Sequence, residues 1–395
     1  MNSIPDLSGT QGWRNTTRGT SLANRCRSTA LAAMAVASLN LMGMSTVSAS
    51  ERWKIIPLPG TGTLNQLNSS MALSASDAWA VGTTGLPDFN SQGVILHWDG
   101  RTWKRMRHPN PPTAVAVNLL GVAAASANDA WAVGRWADPV TLTNKPLILH
   151  WDGSAWQLSG TPPSSNGGTF QAVKAFASDD VWAVGQDGTG TLAEHWDGQT
   201  WSVVPTPRLP SGGDLTSVGG TSSTDIWAAG SFFDRKLQTH SLILHWDGNV
   251  WSISPSPDNG ASSEIEGIAA IAPDNVWVVG HSFPSNVATL TEHWDGTAWT
   301  AVPGPDLSPA QFNAIVAVSP TDLWAVGWTL GSGAQKQTLV ENWNGSAWMV
   351  SRTPAANQIS EFLGIAAAPN AVLAVGDANV TPQDPQLPLM EVHKP

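Results

Sequence analysis

The sequence predicts an all-β fold, a seven-bladed β-propeller built from four-stranded blades. Two short motifs recur along the chain at similar intervals, and each repeat divides into four segments of strand length. Six repeats are complete, and a segment that resembles the strand missing from the seventh occurs at the start of the repeat region. Sheets stacked around a central axis are the architecture that such a repeat count indicates.

The first motif, Trp-Ala-Val-Gly, marks the second predicted strand of each repeat. Successive copies are 52, 51, 45, 50, 47 and 49 residues apart, which is the length of a propeller blade. The motif or a close variant begins at Trp79, Trp131, Trp182, Trp227, Trp277, Trp324 and Leu373.

The second motif, His-Trp-Asp-Gly, ends the third predicted strand. Its Asp-Gly pair suits a two-residue type I′ turn with positive φ at both positions. With Asp99-Gly100 as the loop, residue 98 would pair with 101, and Leu96, Trp98 and Trp103 would share one face. The sixth copy has Asn344-Gly345, which favours a conformational role because Asn tolerates that backbone as Asp does.

Closure of the ring is predicted from the ends of the repeat region. The seventh repeat supplies two strands within 362–376 and a third at 388–393, and its fourth strand is missing. The segment 52–59, "RWKIIPLP", matches fourth strands such as "WSVVPTP" at 201–207. We therefore expect the N-terminal strand to complete the last blade.

The first fifty residues are predicted to be a secretory leader, and residues 51–395 a single propeller domain. Residues 1–50 contain four arginines and one acid, followed by the apolar run 29–44 and small residues at Val47 and Ala49. Basic region, apolar segment and cleavage site in that order are typical of export. The apolar run is too short for a membrane span of about 20 residues, so we expect a secreted, extracellular protein without one.

Composition narrows the classes of partner and chemistry. Without the leader, Lys and Arg fall from 19 to 15 and Asp and Glu from 30 to 29, so the net charge becomes −14, and nucleic acid is not expected as a partner. Cys26 is the only cysteine, which removes disulfides and thiolate chemistry from the mature chain. The sequence predicts no cofactor, no catalytic residue and no metal site.

Most tryptophans and motif histidines are predicted to be structural. Nineteen of the 22 tryptophans stand in the frame of the repeat, as expected for a core. Asn342 replaces the sixth histidine, and Asn is a poor metal ligand, so we expect these side chains to bond neighbouring backbone. The five motif histidines are His97, His150, His195, His245 and His293.

Candidate ligand-binding residues lie in the variable connections, between the second and third strands and between blades. Trp136 and Trp328 are the two tryptophans of the mature chain outside the repeat frame, and aromatic and charged residues occupy related positions. Such residues could stack on sugar rings, grip a protein or cover blade edges. The candidates are Trp136, Trp328, Arg135, Phe232, Phe233, Asp234, Arg235 and His281.

A second candidate region is the mouth of the central channel. One equivalent position near the start of each inner strand is polar in five of the seven repeats and could contact a small ligand or water. The five are Asn68, Gln171, Thr216, Glu266 and Asn313, and Leu120 and Leu363 occupy the other two.

The Asp-Gly-x-x-Trp turn resembles the Asp-box of sialidase-like propellers, with His where Ser stands in that motif and a turn one residue shorter. "LILHWDGSAW" (147–156) also resembles the repeat of Trp-rich bacterial propeller lectins. The resemblance implies a propeller over 51–395 and a lectin-like activity. Sialidase and galactose-oxidase chemistry are disfavoured because both need a tyrosine, and the chain has none.

Three functions follow from these observations. The first is a secreted, monomeric, non-catalytic binding propeller that recognises a glycan or a protein on its variable rim. The second is an extracellular glycoside hydrolase or lyase using acids such as Asp138, Asp187, Asp234 or Glu266, which requires two carboxylates converging within about 5–9.5 Å. The third is an assembly factor for another exported protein.

Overall fold

A computed structural model describes residues 53–59, 64–85, 91–141, 143–160, 167–257, 262–283, 287–331, 333–354, 359–379 and 387–394. The predicted leader, residues 1–50, lies outside this part of the chain. Across the residues that are described, no helix is long and apolar enough to cross a membrane.

Seven four-stranded antiparallel sheets, numbered here as blades, make up the described part of the chain. Blades 1 to 3 comprise β2 (Leu64–Ser74), β3 (Asp77–Gly85), β4 (Gln92–Trp98), β5 (Trp103–Met106), β6 (Ala116–Ser126), β7 (Asp129–Asp138), β8 (Thr143–Trp151), β9 (Trp156–Ser159), β10 (Thr169–Ala177), β11 (Asp180–Asp187), β12 (Gly190–Trp196) and β13 (Trp201–Val203).

Blades 4 to 6 comprise β14 (Gly213–Ser222), β15 (Asp225–Phe233), β16 (Thr239–Trp246), β17 (Trp251–Ile253), β18 (Ser262–Ala272), β19 (Asn275–Phe283), β20 (Ala288–Trp294), β21 (Trp299–Ala301), β22 (Ala310–Ser319), β23 (Asp322–Leu330), β24 (Lys336–Trp343) and β25 (Trp348–Val350). Blade 7 comprises β26 (Ile359–Ala368), β27 (Ala371–Asn379), β28 (Leu387–His393) and β1 (Lys54–Ile55).

The N-terminal strand closes the ring, which confirms the predicted seven-bladed propeller. Strand β1 forms the outer strand of blade 7 and pairs antiparallel with β28, Lys54 opposite Val392. The first strands of successive blades contact one another around the axis, including β26 with β2. The ends of the repeat region therefore share one sheet.

A β-bulge occurs in the first strand of every blade. The pairing of β18 with β19 skips Glu266, so that this residue has no partner across the ladder. A Cβ on Gly280, the last residue of the blade 5 motif, would lie 2.0 Å from the Glu264 carbonyl oxygen. The bulge therefore explains why the second strand of each blade carries glycine at this position.

Tryptophans pack edge to face between neighbouring blades. At the junction of blades 1 and 2 the ring centroids of Trp79 and Trp156 are 5.2 Å apart with an interplanar angle of 88°. Trp324 makes the same contact with Trp53 across blades 6 and 7, at 5.7 Å. The matching pairs at other junctions are Trp131–Trp201, Trp182–Trp251, Trp227–Trp299 and Trp277–Trp348.

The predicted tryptophan core is observed with one difference. The tryptophans of second and fourth strands are buried, whereas those of the His-Trp-Asp-Gly motif are half-buried. The Nε1 of Trp98, for example, donates to the Ala75 carbonyl in the turn between the first and second strands at 3.0 Å. The motif tryptophans thus hold the two constant turns of a blade together.

The predicted two-residue hairpin is wrong. Trp98 pairs with Trp103, so the loop contains four residues, and Gly100 has a φ of 86° whereas Asp99 does not have positive φ. Both Arg101 N and Thr102 N donate to Asp99 Oδ1, at 3.0 and 2.9 Å. The acid therefore caps the turn with its side chain, and the two tryptophans share a face as expected.

Four third strands carry a glutamate at a fully buried position between blades. The third strands of blades 1, 2 and 4 have leucine at this position, namely Leu96, Leu149 and Leu244. Burial raises the pKa of Glu194 to about 8 and that of Glu341 to about 7. The four glutamates are Glu194, Glu292, Glu341 and Glu391.

Removing the closing tryptophan should weaken the whole ring. We expect Trp53→Ala to lower the free energy of unfolding by about 3–5 kcal/mol, because Trp53 is 2% exposed and packs on Trp324. The exposed neighbour provides the control, since Lys54→Ala should change stability by no more than about 0.5 kcal/mol. Urea denaturation followed by circular dichroism measures both, and equal midpoints for the two variants would contradict the closure.

The buried glutamates should make the propeller more stable near pH 5 than near pH 8. A raised pKa means that the folded state keeps a proton that the unfolded state releases above about pH 4.5, so stability falls as the pH rises until the folded group ionises near pH 8. Glu194→Leu, which copies the residue of blades 1, 2 and 4, should flatten the stability profile between pH 5 and 8 by on the order of 1–3 kcal/mol. Chemical denaturation across this range tests it, and an unchanged profile in this variant would disprove the assignment.

Candidate functional site

The repeated His-Trp-Asp-Gly motif is part of the scaffold. His97 Nε2 lies 2.9 Å from Asp77 Oδ1, and the imidazole stacks on Trp79 with ring centroids 4.1 Å apart. Asp77 is the first residue of β3, so this histidine binds a carboxylate rather than the backbone, whereas Asn342 donates to the Leu323 carbonyl at 3.0 Å as expected. Equivalent pairs are His150–Asp129, His195–Asp180 and His245–Asp225.

Two blades vary the pair without losing its hydrogen bond. Blade 5 has His293 Nε2 at 3.0 Å from Asn275 Oδ1, and in blade 6 Asn342 Nδ2 donates to Asp322 Oδ1 at 2.7 Å. Asn can replace either partner because what the site requires is one hydrogen bond. A group used for catalysis or metal binding would not tolerate this exchange.

The two off-frame tryptophans lie near the ends of second strands and are half-buried. Trp136 packs against the core between blades 1 and 2, and Lys145 Nζ lies 5.9 Å from its ring centroid. Lys336 Nζ lies 4.7 Å from the Trp328 centroid and 2.8 Å from Glu361 Oε2. Each ring therefore has a lysine over one face.

The remaining rim candidates separate into buried and exposed groups. Phe232 packs against the core of blades 3 and 4, and Arg135 is half-buried opposite Asn118. Asp234 accepts from Lys236 N at 2.7 Å and caps its own turn. Three further candidates occupy other surroundings: Phe233 and Arg235 are exposed, and His281 is buried.

The bulged residues line one cavity in the central channel, of about 380 Å³. They stand in the middle of the first strands, and the five polar ones do not all remain available to a ligand. Asn68, Thr216 and Asn313 each donate to a carbonyl oxygen of the next blade, at 2.7, 2.6 and 2.7 Å. Gln171 Nε2 donates to Asp214 Oδ2 at 3.0 Å. Glu266 is thus the ionisable member of this ring.

An acidic cluster surrounds Glu266 where blades 4 and 5 meet. Glu264, Glu266 and His281 each offer an oxygen or nitrogen atom within 4.8 Å of the others. Glu264 lies opposite His281 in the β18–β19 ladder, and the bulge turns Glu266 toward the cavity. The structure therefore joins the predicted channel residue Glu266 and the predicted rim residue His281 in one site, with Glu264 and Asp214, which were not predicted.

Burial and like charge shift the pKa values of this cluster. Burial raises the pKa of Glu266 to about 8, and the charges of Glu264 and Asp214 raise it further in the same direction. Burial also raises the pKa of Asp214 to about 6, against the hydrogen bond from Gln171. The pKa of His281 is lowered by its burial. A cation bound among these carboxylates would stabilise their charged forms.

A groove on the variable rim adjoins the cluster. It has a volume of about 890 Å³ and lies between the connections of blades 3 and 4, with Asp214 and Glu264 in its lining. Asp187, Arg208 and the exposed Phe233 line other parts of it. The groove thus combines an aromatic side chain with several carboxylates next to the channel.

The acids proposed for hydrolysis serve the turns, apart from Glu266. Asp138 is buried, accepts from Val140 N at 2.9 Å and lies 3.1 Å from Lys145 Nζ. Asp187 Oδ1 accepts from Thr189 N at 2.6 Å. Each of these carboxylates therefore stabilises a loop between the second and third strands.

Solved structures share the fold at low sequence identity. One described as YCF48 bound to D1 peptide has a TM-score of 0.54 and 15% identity, covering 87% of this chain and 96% of that chain. YCF48 from Cyanidioschyzon merolae has a TM-score of 0.55 and 14% identity, covering 87% of this chain and 98% of that chain. U3-55K has a TM-score of 0.57 and 12% identity, covering 87% of this chain and 98% of that chain. No protein-family model and no curated protein sequence matches the chain.

The histidine of the motif should be replaceable by asparagine. In His245→Asn the side-chain amide can donate to Asp225 as Asn342 does to Asp322, whereas His245→Ala loses both this bond and the ring stacked on Trp227. We expect a loss of about 1–3 kcal/mol for Ala and a clearly smaller one for Asn. Thermal unfolding compares the two variants, and an equal loss in both would contradict a hydrogen-bonding role.

Proposed function

We propose that the chain is a non-catalytic, protein-binding propeller that acts outside the cell. It binds an extended polypeptide segment with a Lys or Arg side chain in the groove between blades 3 and 4. The observation that carries this proposal is the carboxylate of Asp214, which lines the groove and whose Oδ1 is buried without a hydrogen-bond partner among the described residues.

The chemistry of the groove supports a cationic partner. Asp187, Asp214 and Glu264 outnumber the single base, Arg208, along its lining. A Lys or Arg side chain entering the groove would neutralise Asp214, whose raised pKa reports the cost of keeping that charge buried. The overall charge of the chain, −11 with the leader included, would also attract basic segments from solution.

The size of the groove is sufficient for a short polypeptide segment. Its volume of about 890 Å³ is at the upper end of ordinary ligand pockets. Phe233 lines the groove, is 42% exposed and can pack against an apolar side chain of the bound segment. The structure described as YCF48 bound to D1 peptide is a precedent for a propeller with a peptide ligand.

A glycan is a weaker proposal for this rim. Sugar recognition by stacking needs open aromatic faces, and lysines lie over the rings of Trp136 and Trp328. Phe233 is the exposed aromatic candidate, and it stands beside carboxylates rather than beside a second open ring.

Hydrolysis or elimination has one observation in its favour. Glu264 and Glu266 converge, as an enzyme of this kind requires. Both, however, come from β18 and are two residues apart, whereas the two acids of a glycoside hydrolase flank the bond that is cleaved. The convergence fits the binding of a positive charge better.

A peptide array tests the proposal most directly. The purified full-length chain, in buffer with EDTA, is applied to random decapeptides of varied charge, with a glycan array in parallel. We expect binding to peptides that combine Lys or Arg with an apolar residue, and at least a tenfold weaker affinity for Asp214→Asn and Phe233→Ala. The removed contacts are one charge pair and one aromatic surface.

Two variants outside the groove serve as matched controls. Glu361→Gln removes a carboxylate at the equivalent position of blade 7, and Met349→Ala removes an exposed apolar side chain of blade 6. Both should bind peptide as the wild type does. Failure to bind any peptide, binding of glycans alone, or full affinity in Asp214→Asn and Phe233→Ala would refute the proposal.

A further inference from the structure

We infer that Glu264, Glu266 and His281 form a binding site for one divalent transition-metal cation, such as Mn²⁺ or Zn²⁺, at the channel mouth in blade 5. This metal site does not depend on the proposed peptide binding. Among the described residues these three are the group of His, Cys, Asp or Glu side chains close enough to share a metal ion.

The distances are within reach of coordination. Ligand atoms no more than 4.8 Å apart would place a central ion about 2.8 Å or less from each of them. Bonds from carboxylate oxygen and imidazole nitrogen to such ions are about 2.0–2.2 Å, so each side chain has to move by well under 1 Å. Small rotations about the glutamate torsions supply that movement without a change in the strands.

His281 gives an independent indication of a ligand. The residue is 6% exposed, and its Nδ1 has no hydrogen-bond partner in the described part of the chain. That nitrogen lies 3.9 Å from Glu266 Oε1, too far for a hydrogen bond and on the side of the cluster. Buried polar atoms are nearly always satisfied, and a bound metal ion would satisfy this one.

The backbone explains why the three ligands meet in blade 5. Glu264 and His281 are cross-strand partners, which brings their side chains to the same face. Glu266 follows two residues later in β18, so strand alternation places it on the face of Glu264, and the bulge leaves it without a cross-strand partner. Equivalent cross-strand pairs elsewhere are Gln66–Thr83, Asn118–Arg135, Thr169–Gln186, Asp214–Ser231, Gln311–Trp328 and Glu361–Asp377.

The ligand types select the class of metal. Two carboxylates and one imidazole suit Mn²⁺ and Zn²⁺, whereas Ca²⁺ and Mg²⁺ prefer oxygen ligands throughout. The two carboxylates match the charge of a dication, and Asp214 contributes further negative charge nearby. The cavity of about 380 Å³ beside Glu266 has room for water molecules to complete the coordination.

Titration of the untagged, EDTA-treated full-length chain with Mn²⁺, followed by electron paramagnetic resonance, tests the site without any peptide. We expect one Mn²⁺ per chain, and electron spin-echo modulation from a coordinated nitrogen. Glu266→Gln and His281→Gln should each weaken binding at least tenfold, and His281→Gln should abolish the nitrogen signal. Calorimetric titration with Zn²⁺ should show the same order of affinities.

Glu361→Gln is the matched control, because it removes a carboxylate at the position in blade 7 that Glu264 occupies in blade 5. It should bind Mn²⁺ as the wild type does, and thermal unfolding should show that all three variants are folded. No saturable binding, no nitrogen coupling in the wild type, or unchanged affinity in Glu266→Gln and His281→Gln would overturn the inference. Peptide binding in EDTA is unaffected by any of these outcomes, so the two proposals fail separately.

Discussion

The bulge in each first strand is the constraint on which both the scaffold and the site depend. It leaves one residue unpaired and turns that side chain into the central channel, seven times around the ring. It also brings a backbone carbonyl against the second strand so closely that only glycine fits there. The glycine that ends the Trp-Ala-Val-Gly motif is therefore required by the bulge in the neighbouring strand.

The scaffold uses most of these positions for its own cohesion. Asn68, Thr216 and Asn313 donate hydrogen bonds from one blade to the next, where the backbones of neighbouring first strands come close together. Farther from the central axis, tryptophans packed edge to face add apolar contact between blades. Trp53 makes this contact with Trp324 at the junction of blades 6 and 7. At the junction of blades 7 and 1, Leu373 replaces the tryptophan of the motif and packs against the cluster that contains Trp103.

Glu266 departs from this pattern and gives the ring its chemistry. A carboxylate cannot donate to the next blade as Asn and Thr do unless it is protonated. It stands beside Glu264, Asp214 and His281, and burial favours the uncharged forms of all four groups. The blades thus share one backbone plan, and the side chains of blades 4 and 5 convert one part of the channel into an acidic corner.

The fold was predictable from the sequence because the repeat is strict in its tryptophans and glycines. The hairpin register was not, since the Asp99 side chain bonds the turn amides and makes a four-residue loop where two residues were expected. Glu266 and His281 were predicted as separate candidates, on the channel and on the rim. Their convergence could not be predicted because it depends on the cross-strand register that places His281 opposite Glu264. One available signal was the residue two positions before the bulge, which is polar in every repeat and is acidic at Asp214, Glu264 and Glu361.

We infer that a single corner of the ring, in blades 4 and 5, carries the binding chemistry while the other blades support it. Hydrogen–deuterium exchange of the full-length chain with and without Mn²⁺ measures this most directly. We expect slower exchange confined to peptides from the first strand of blade 4 and the first two strands of blade 5, within 213–222 and 262–283. Protection centred on the motif histidines, or spread evenly over the seven blades, would contradict it.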